Sequence, residues 1–477
     1  MSRKTAVVWF RNDLRLHDNE ALIHALQIAD NVMPVYVFDP RVMEGKTRFG
    51  FRKTGVFRAN FILESVRDLR NSLRELGSDL IVRYGYPEEE VFKLAGEVQS
   101  SWVFCNRERT AEEVTVQDAL EQNLWTIGQE IFYARGKMLY YTQDLPFPIT
   151  QTPDIFTQFR KEVEKVVQVR KPLDTPGDIA CEPGLLPEPG DIPGLLDLGF
   201  SEEELPDDFV FEGGETAGLE RLHYYLWETD LVQQYKETRN GLLGMDYSSK
   251  FSPYLAQGCL SPKKIYWEIK RYESERVANQ STYWMIFELM WRDYFRLVAK
   301  KYKERIFLKG GPKEKVFHSL SEDFQAFDKW AEGFSGIPFV DANMRELNRT
   351  GFMSNRGRQN VASYLVKDLK INWQMGAEYF ESLLIDYDPC SNWGNWNYVA
   401  GVGMDPRSDR YFNVIGQGKR YDPDAEFIKH WLPELSKLDS DVIHDPYKWE
   451  GNELYKAGIV LGRDYPEPYI EKITECR

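Results

Sequence analysis

Between Asp386 and Tyr398 the chain reads Asp386-Tyr387-Asp388-Pro389-Cys390-Ser391-Asn392-Trp393-Gly394-Asn395-Trp396-Asn397-Tyr398, interleaving carboxylates, amides and indoles. A packed core rarely holds so much polarity in one place. A flat heteroaromatic group with donors and acceptors along its edge would use it: acids and amides bind the edge, and indoles stack or pass electrons. Upstream, the segment Asn355 to Asp368 puts Val361, Ala362, Leu365 and Val366 on one helical face, with Arg358 on the same side. An arginine drawn toward a buried face needs a carboxylate partner. Asp386 is the simplest candidate, and a plain structural ion pair between helices answers the same pattern.

Composition bounds these readings. The 477 residues include 13 Trp and carry a formal net charge of −15. The indoles fit either an aromatic-packed helical core or stacking and electron transfer. A general basic footprint for nucleic acid is absent, which leaves room only for a local basic groove. The cysteines Cys105, Cys181, Cys259, Cys390 and Cys476 form no CxxC or Cys/His cluster, so neither a disulfide framework nor a metal site is expected. The apolar run Ala6 to Phe10 is too short for a signal peptide, and no stretch reaches membrane-spanning length, so a cytoplasmic protein is expected.

The elements that must position the polar run follow from periodicity. Ala6–Phe10, Val35–Phe38, Leu80–Val82 and Trp102–Phe104 read as short buried strands, with a helix over Asn19–Ala29. A longer helix places Phe57, Phe61, Ile62, Val66, Leu69, Leu73 and Leu76 on one stripe and ends at Gly77. Strands alternating with helices predict a parallel, Rossmann-like α/β sheet covered on both faces over residues 1–135. Neither GxGxxG nor GxxxxGK[ST] follows the first strand, which disfavours nicotinamide and P-loop enzymes. A connector over 136–217 becomes rich in Pro, Gly and acid from Lys171, including Pro183 and Glu202-Glu203-Glu204. From 218 to 477 the texture is helical, with helices expected over Leu219–Lys236, Pro262–Tyr272, Thr282–Lys303, Asp323–Phe334, Val340–Leu347, Arg358–Asp368 and Gly376–Ile385.

The Asn355–Tyr398 block, together with Asp246-Tyr247-Ser248-Ser249-Lys250-Phe251-Ser252-Pro253 and Trp291-Arg292-Asp293-Tyr294-Phe295, resembles the DNA photolyase/cryptochrome family. The resemblance runs nearly end to end. It is strongest to the DASH cryptochrome branch, through Tyr141 to Pro148, Phe156 to Arg160, Lys250 and Gln359-Asn360. It implies an all-α domain holding FAD. Tyr235, Ser248, Ser249, Lys250 and Ser252 match residues that hold its pyrophosphate and ribitol. Arg358 and Asp386 match the ion pair beside the isoalloxazine, Asp388 the acid near its edge, and Asn392 the residue facing flavin N5. An amide at that last position resembles the repair enzymes rather than the plant photoreceptors, which carry an acid there.

The same resemblance assigns a substrate pocket. Glu288, Trp291, Asn355 and Arg356 match contacts to a cyclobutane pyrimidine dimer, with Glu288 donating to the dimer carbonyl. Gln359 and Tyr398 depart from the dimer photolyases and follow the DASH branch, whose pocket favours dimers in single-stranded DNA. Each of Arg239, Arg292, Arg356, Arg407 and Arg410 alone reads as an ordinary surface arginine; as a set around one cavity mouth they would contact phosphates. Trp396 and Trp373 match the proximal and middle members of the family's tryptophan chain, while Leu320 stands at the distal position, where Trp393 or a surface tyrosine could substitute. Glu108 matches an acid that contacts an antenna, in this branch a methenyltetrahydrofolate; a solvated loop carboxylate is the alternative. The implied activity is light-driven splitting of dimers by a monomer with no membrane partner. A blue-light sensor signalling through flavin redox state is the alternative, and the short stretch after Tyr469 weighs against it.

Overall fold

The computed structural model describes residues 4–179, 181–182, 184–316, 320–407, 410–449 and 452–470. Pro183 and Cys476, named above, lie outside them. The chain forms two compact units. The first comprises Met1–Lys236, Ser249–Glu304 and Ile385–Ser391, and the second Glu237–Ser248, Arg305–Leu384 and Asn392–Arg477. Residues Ser249–Glu304, which lie in the helical stretch of the sequence, cluster with the first unit.

The first unit is built on a five-stranded sheet in the order β3-β2-β1-β4-β5. The strands are β1 (Thr5–Phe10), β2 (Asn31–Phe38), β3 (Ile81–Tyr84), β4 (Trp102–Asn106) and β5 (Glu130–Ala134). Every neighbouring pair is parallel, which is the order of a doubly wound half. β1 is buried along its whole length, as its continuous apolar run predicts. β5 was not anticipated: it is an edge strand with alternating exposure, and its Glu130 start masks the pattern. The helix Val56–Glu75 closes as expected. Gly77, at φ 81°, donates to the Arg74 carbonyl while Ser78 donates to that of Leu73, the paired bonds of a glycine-capped helix end.

The proline-rich connector is pinned to the sheet. The Pro189 carbonyl accepts from Val82 on the edge strand β3, so the edge is not left as an open template. Arg70 donates to the Gly190 carbonyl and Arg52 to that of Leu198. One expected helix is broken. Leu219–Lys236 becomes an α-helix ending at His223, a wider turn over Tyr224–Glu228 and a tight turn over Leu231–Gln234. The break centres on Asp230, at φ 55°. Its carboxylate accepts from Tyr272 and Arg276 at 2.6 Å each, contacts that fix a left-handed residue. The long helix Gln280–Tyr302 completes this unit and carries Glu288, Trp291, Arg292 and Arg296.

The second unit is helical. Phe324–Ala331, Pro338–Thr350, Asn355–Ser363 and Trp373–Leu383 are its main helices, joined by residues Asn392–Ala400 of the helix that begins at Pro389. Phe339, Phe427, Ile428, Leu432, Leu435 and Tyr465 belong to one buried apolar core of this unit. Ser335 and Gly336 donate backbone N–H groups to buried Asp341, whose carboxylate also meets the Tyr465 hydroxyl. Among the described residues, no helix is long and apolar enough to cross a membrane.

Candidate functional site

In the first unit the candidate residues centre on a buried chain of alternating charge. Glu108 (2% exposed) pairs through one carboxylate oxygen with Lys137 and through the other with Arg296 at 3.0 Å. Arg296 reaches Asp388 at 2.9 Å with its remaining terminal nitrogen. Burial alone would raise the pKa of Glu108, but Lys137 and Arg296 overcome it and hold it down at about 2. Burial likewise opposes, and Arg296 and Arg292 outweigh it at, Asp388, whose pKa is lowered. Glu108 is therefore no solvated loop acid, and that reading is corrected: both of its oxygens are engaged inside the unit.

Asp388 has a second function. Its other oxygen accepts from the Ser391 backbone at 2.8 Å, capping the helix Pro389–Ala400, which bears Asn392, Trp396 and Tyr398. The polar run thus contains, as its third residue, a carboxylate that starts its own helix. Asp386 is also buried, and so are Tyr235, Ser249 and Lys250. Lys250 is left-handed, at φ 57°, a strained state for a lysine that marks a constrained turn. Ser252, beyond it, is exposed at the start of a short helix.

On the helix Gln280–Tyr302, Glu288 is half-buried, one turn before Trp291. The Trp291 ring stacks on Phe156 with centroids 3.6 Å apart and an interplanar angle of 10°, so one indole face is already covered. Arg292 donates to the Lys137 carbonyl at 2.8 Å and to the Leu255 carbonyl at 3.0 Å. Its guanidinium ties backbone segments of this unit together.

In the second unit Ser354 caps the helix Asn355–Ser363 by accepting from Gly357. Asn355 is exposed at its first turn. Arg356 donates to Gln359, Gln417 and Asn240 at 3.0, 3.2 and 2.9 Å and lies over Tyr421. Its partners are neutral amides and a ring, so its charge stays available to an anion. Arg358 donates to the Met353 carbonyl at 2.9 Å. Arg410 is paired with Asp405 and stands over Tyr398, whereas Arg407 is exposed. Ser248 and Arg239 are half-buried.

The Asn392 side-chain nitrogen donates to the Ala377 carbonyl at 3.0 Å. That bond orients the amide and leaves its oxygen as an acceptor. Trp396, 3% exposed, lies against Gly376, where an added Cβ would fall 2.3 Å from the indole. Trp373 is fully buried and donates to the Lys309 carbonyl. Ser321 bridges to Ile371, so Leu320 adjoins the segment that enters Trp373. Trp330, not singled out in the sequence, packs edge-on to Trp396 at 6.4 Å. Its contact joins residues far apart in sequence, and no local pattern announces it.

Residues 6–177 match the family described as DNA photolyase, and residues 284–476 match the FAD binding domain of DNA photolyase. The chain belongs to the DNA photolyase/cryptochrome family, in its cryptochrome DASH branch. It is 50% identical to a cryptochrome DASH of Gloeobacter violaceus over 99% of this chain and 94% of that one. A cryptochrome DASH of Synechocystis sp. is 49% identical, over 98% and 95%. Among solved structures, the Synechocystis sp. PCC6803 cryptochrome superposes with a TM-score of 0.94 at 48% identity, covering 99% of this chain and 98% of the other. A bacterial class III photolyase from Agrobacterium tumefaciens gives 0.88 at 30% identity, covering 99% and 95%.

Proposed function

We propose that this protein uses blue light to split cyclobutane pyrimidine dimers, preferentially in single-stranded DNA. The observation that carries the reading is the oriented amide of Asn392, held by the Ala377 carbonyl where light sensors of the family carry an acid. The donor set suits FAD: hydroxyls and a lysine for its phosphates, and an arginine, acids and an amide for its ring. Tyr235, Ser248, Ser249, Lys250, Ser252, Asn355, Arg358, Asp386, Asp388 and Asn392 would hold it. When bound, FAD supplies a light-excited electron and takes it back, so the reaction has no net redox change.

The chain's own residues do the rest. Glu288 offers a proton or hydrogen bond to the dimer carbonyl as that oxygen gains charge. Trp291, with one face on Phe156, offers its other face to a base. Arg356 and Arg407 steady the phosphates, with Arg239 and the paired Arg410 beside them, while Gln359 and Tyr398 shape the pocket wall. A site that takes an already loose dimer avoids the cost of unstacking it from a duplex, a few kcal/mol. A methenyltetrahydrofolate antenna near Glu108 belongs to the same reading; acid extracts of purified protein containing flavin but no folate would contradict it.

A second reading, a blue-light sensor with little repair, draws on the internal engagement of Arg292 and Arg410, which thins the DNA-facing charge. Repair assays on the reduced wild-type protein under blue light separate the two, and Glu288→Ala tests that residue's part. In that variant, loss of light-dependent dimer splitting with flavin still bound supports the role of Glu288, and unchanged splitting removes it.

A further inference from the structure

We infer that the electron hole left on Trp396 travels through Trp330 to Tyr379, making Tyr379 the last protein donor in flavin photoreduction; the inference rests on the flavin reading above. At position 320 the family's chain has a tryptophan, and here Leu320, an aliphatic side chain, cannot hold a hole. Trp373 is fully buried, meets Trp393 edge-on at 5.6 Å, and Trp393 is itself only 5% exposed. A hole driven that way stays inside the core.

The other side of Trp396 offers a continuous route. Trp330 lies 6.4 Å away at 76°, and Tyr379 lies 5.9 Å beyond Trp330 at 59°. Trp330 is fully buried and its indole N–H donates to the Val361 carbonyl at 3.0 Å. A carbonyl is no base, so an oxidised Trp330 keeps its proton and passes the hole on. Tyr379 is half-buried, and its hydroxyl donates to Asn348 at 2.7 Å. Asn348 is in turn fixed by donating to the Ala331 carbonyl. Asp328 and Glu332 bias the potential at this ring toward positive charge.

The steps balance. Trp396 gives one electron to photoexcited flavin, Trp330 refills Trp396, and Tyr379 refills Trp330. The Tyr379 O–H bond breaks, its proton passes to bulk water, and a neutral tyrosyl radical remains. A thiol such as dithiothreitol then returns an electron and a proton.

Laser-flash absorption on the flavin-loaded, oxidised protein tests this. Wild type should show a long-lived tyrosyl band whose formation slows in D2O. Tyr379→Phe, a conservative change, should abolish that band, leave a tryptophanyl radical, remove the D2O effect and speed charge recombination by about tenfold or more. Trp330→Phe should do the same. A tyrosyl band that survives Tyr379→Phe, or one lost in Trp373→Phe but kept in Trp330→Phe, would overturn the route. Failure of the flash to reduce bound flavin at all in wild type would instead overturn the flavin reading beneath it.

Discussion

At the scale of single residues, the site depends on side chains held by neighbours that leave one function exposed. Asn392 is oriented through its nitrogen and presents its oxygen. Asn392→Asp should therefore retain flavin but slow dimer splitting by about an order of magnitude, measured as repair per photon absorbed. Gly376 is small because the Trp396 indole occupies the place of its Cβ. Gly376→Ala should destabilise the protein by about 1–3 kcal/mol, read from urea unfolding, and slow photoreduction as Trp396 shifts. The acids, amides and tryptophans of Asn355–Tyr398 were legible in the sequence because they form one long ordered motif. Trp330 and Tyr379 were not, since their value lies in ring contacts that only the packed helices create.

At the scale of elements, the helix Gln280–Tyr302 carries both Arg296, a member of the buried charge chain, and the half-buried Glu288. Glu108 anchors that chain. Its pKa is about 2 in the fold against 4.5 for an ordinary glutamate. A depressed carboxyl contributes stability above the unfolded value and loses it as pH falls through the folded one. Stability should therefore decline between pH 4.5 and 2. Glu108→Gln should cost about 3–5 kcal/mol at neutral pH, because Lys137 and Arg296 lose their shared counter-charge, and should flatten that acid decline; denaturant midpoints across pH check both. Burial of Glu108 was illegible because Lys137 and Arg296 lie far along the chain. Most strands and helices were legible from their apolar period, whereas β5 hid behind its exposed edge and Asp230 broke an otherwise periodic helix.

At the scale of the molecule, a net charge of −15 means that the proposed DNA binding would depend on few cations. Arg407→Ala should weaken binding alike for all sequences and lower the salt slope by about 1, measured by fluorescence anisotropy at several salt concentrations. Arg292→Ala should act through stability instead, since its guanidinium braces the Lys137 and Leu255 carbonyls. The most direct test of the central claim is dimer content in single- and double-stranded oligonucleotides after incubation with reduced protein under blue light. Dimers should disappear only in the light and faster from the single strand; no light-dependent loss from either form would contradict the account.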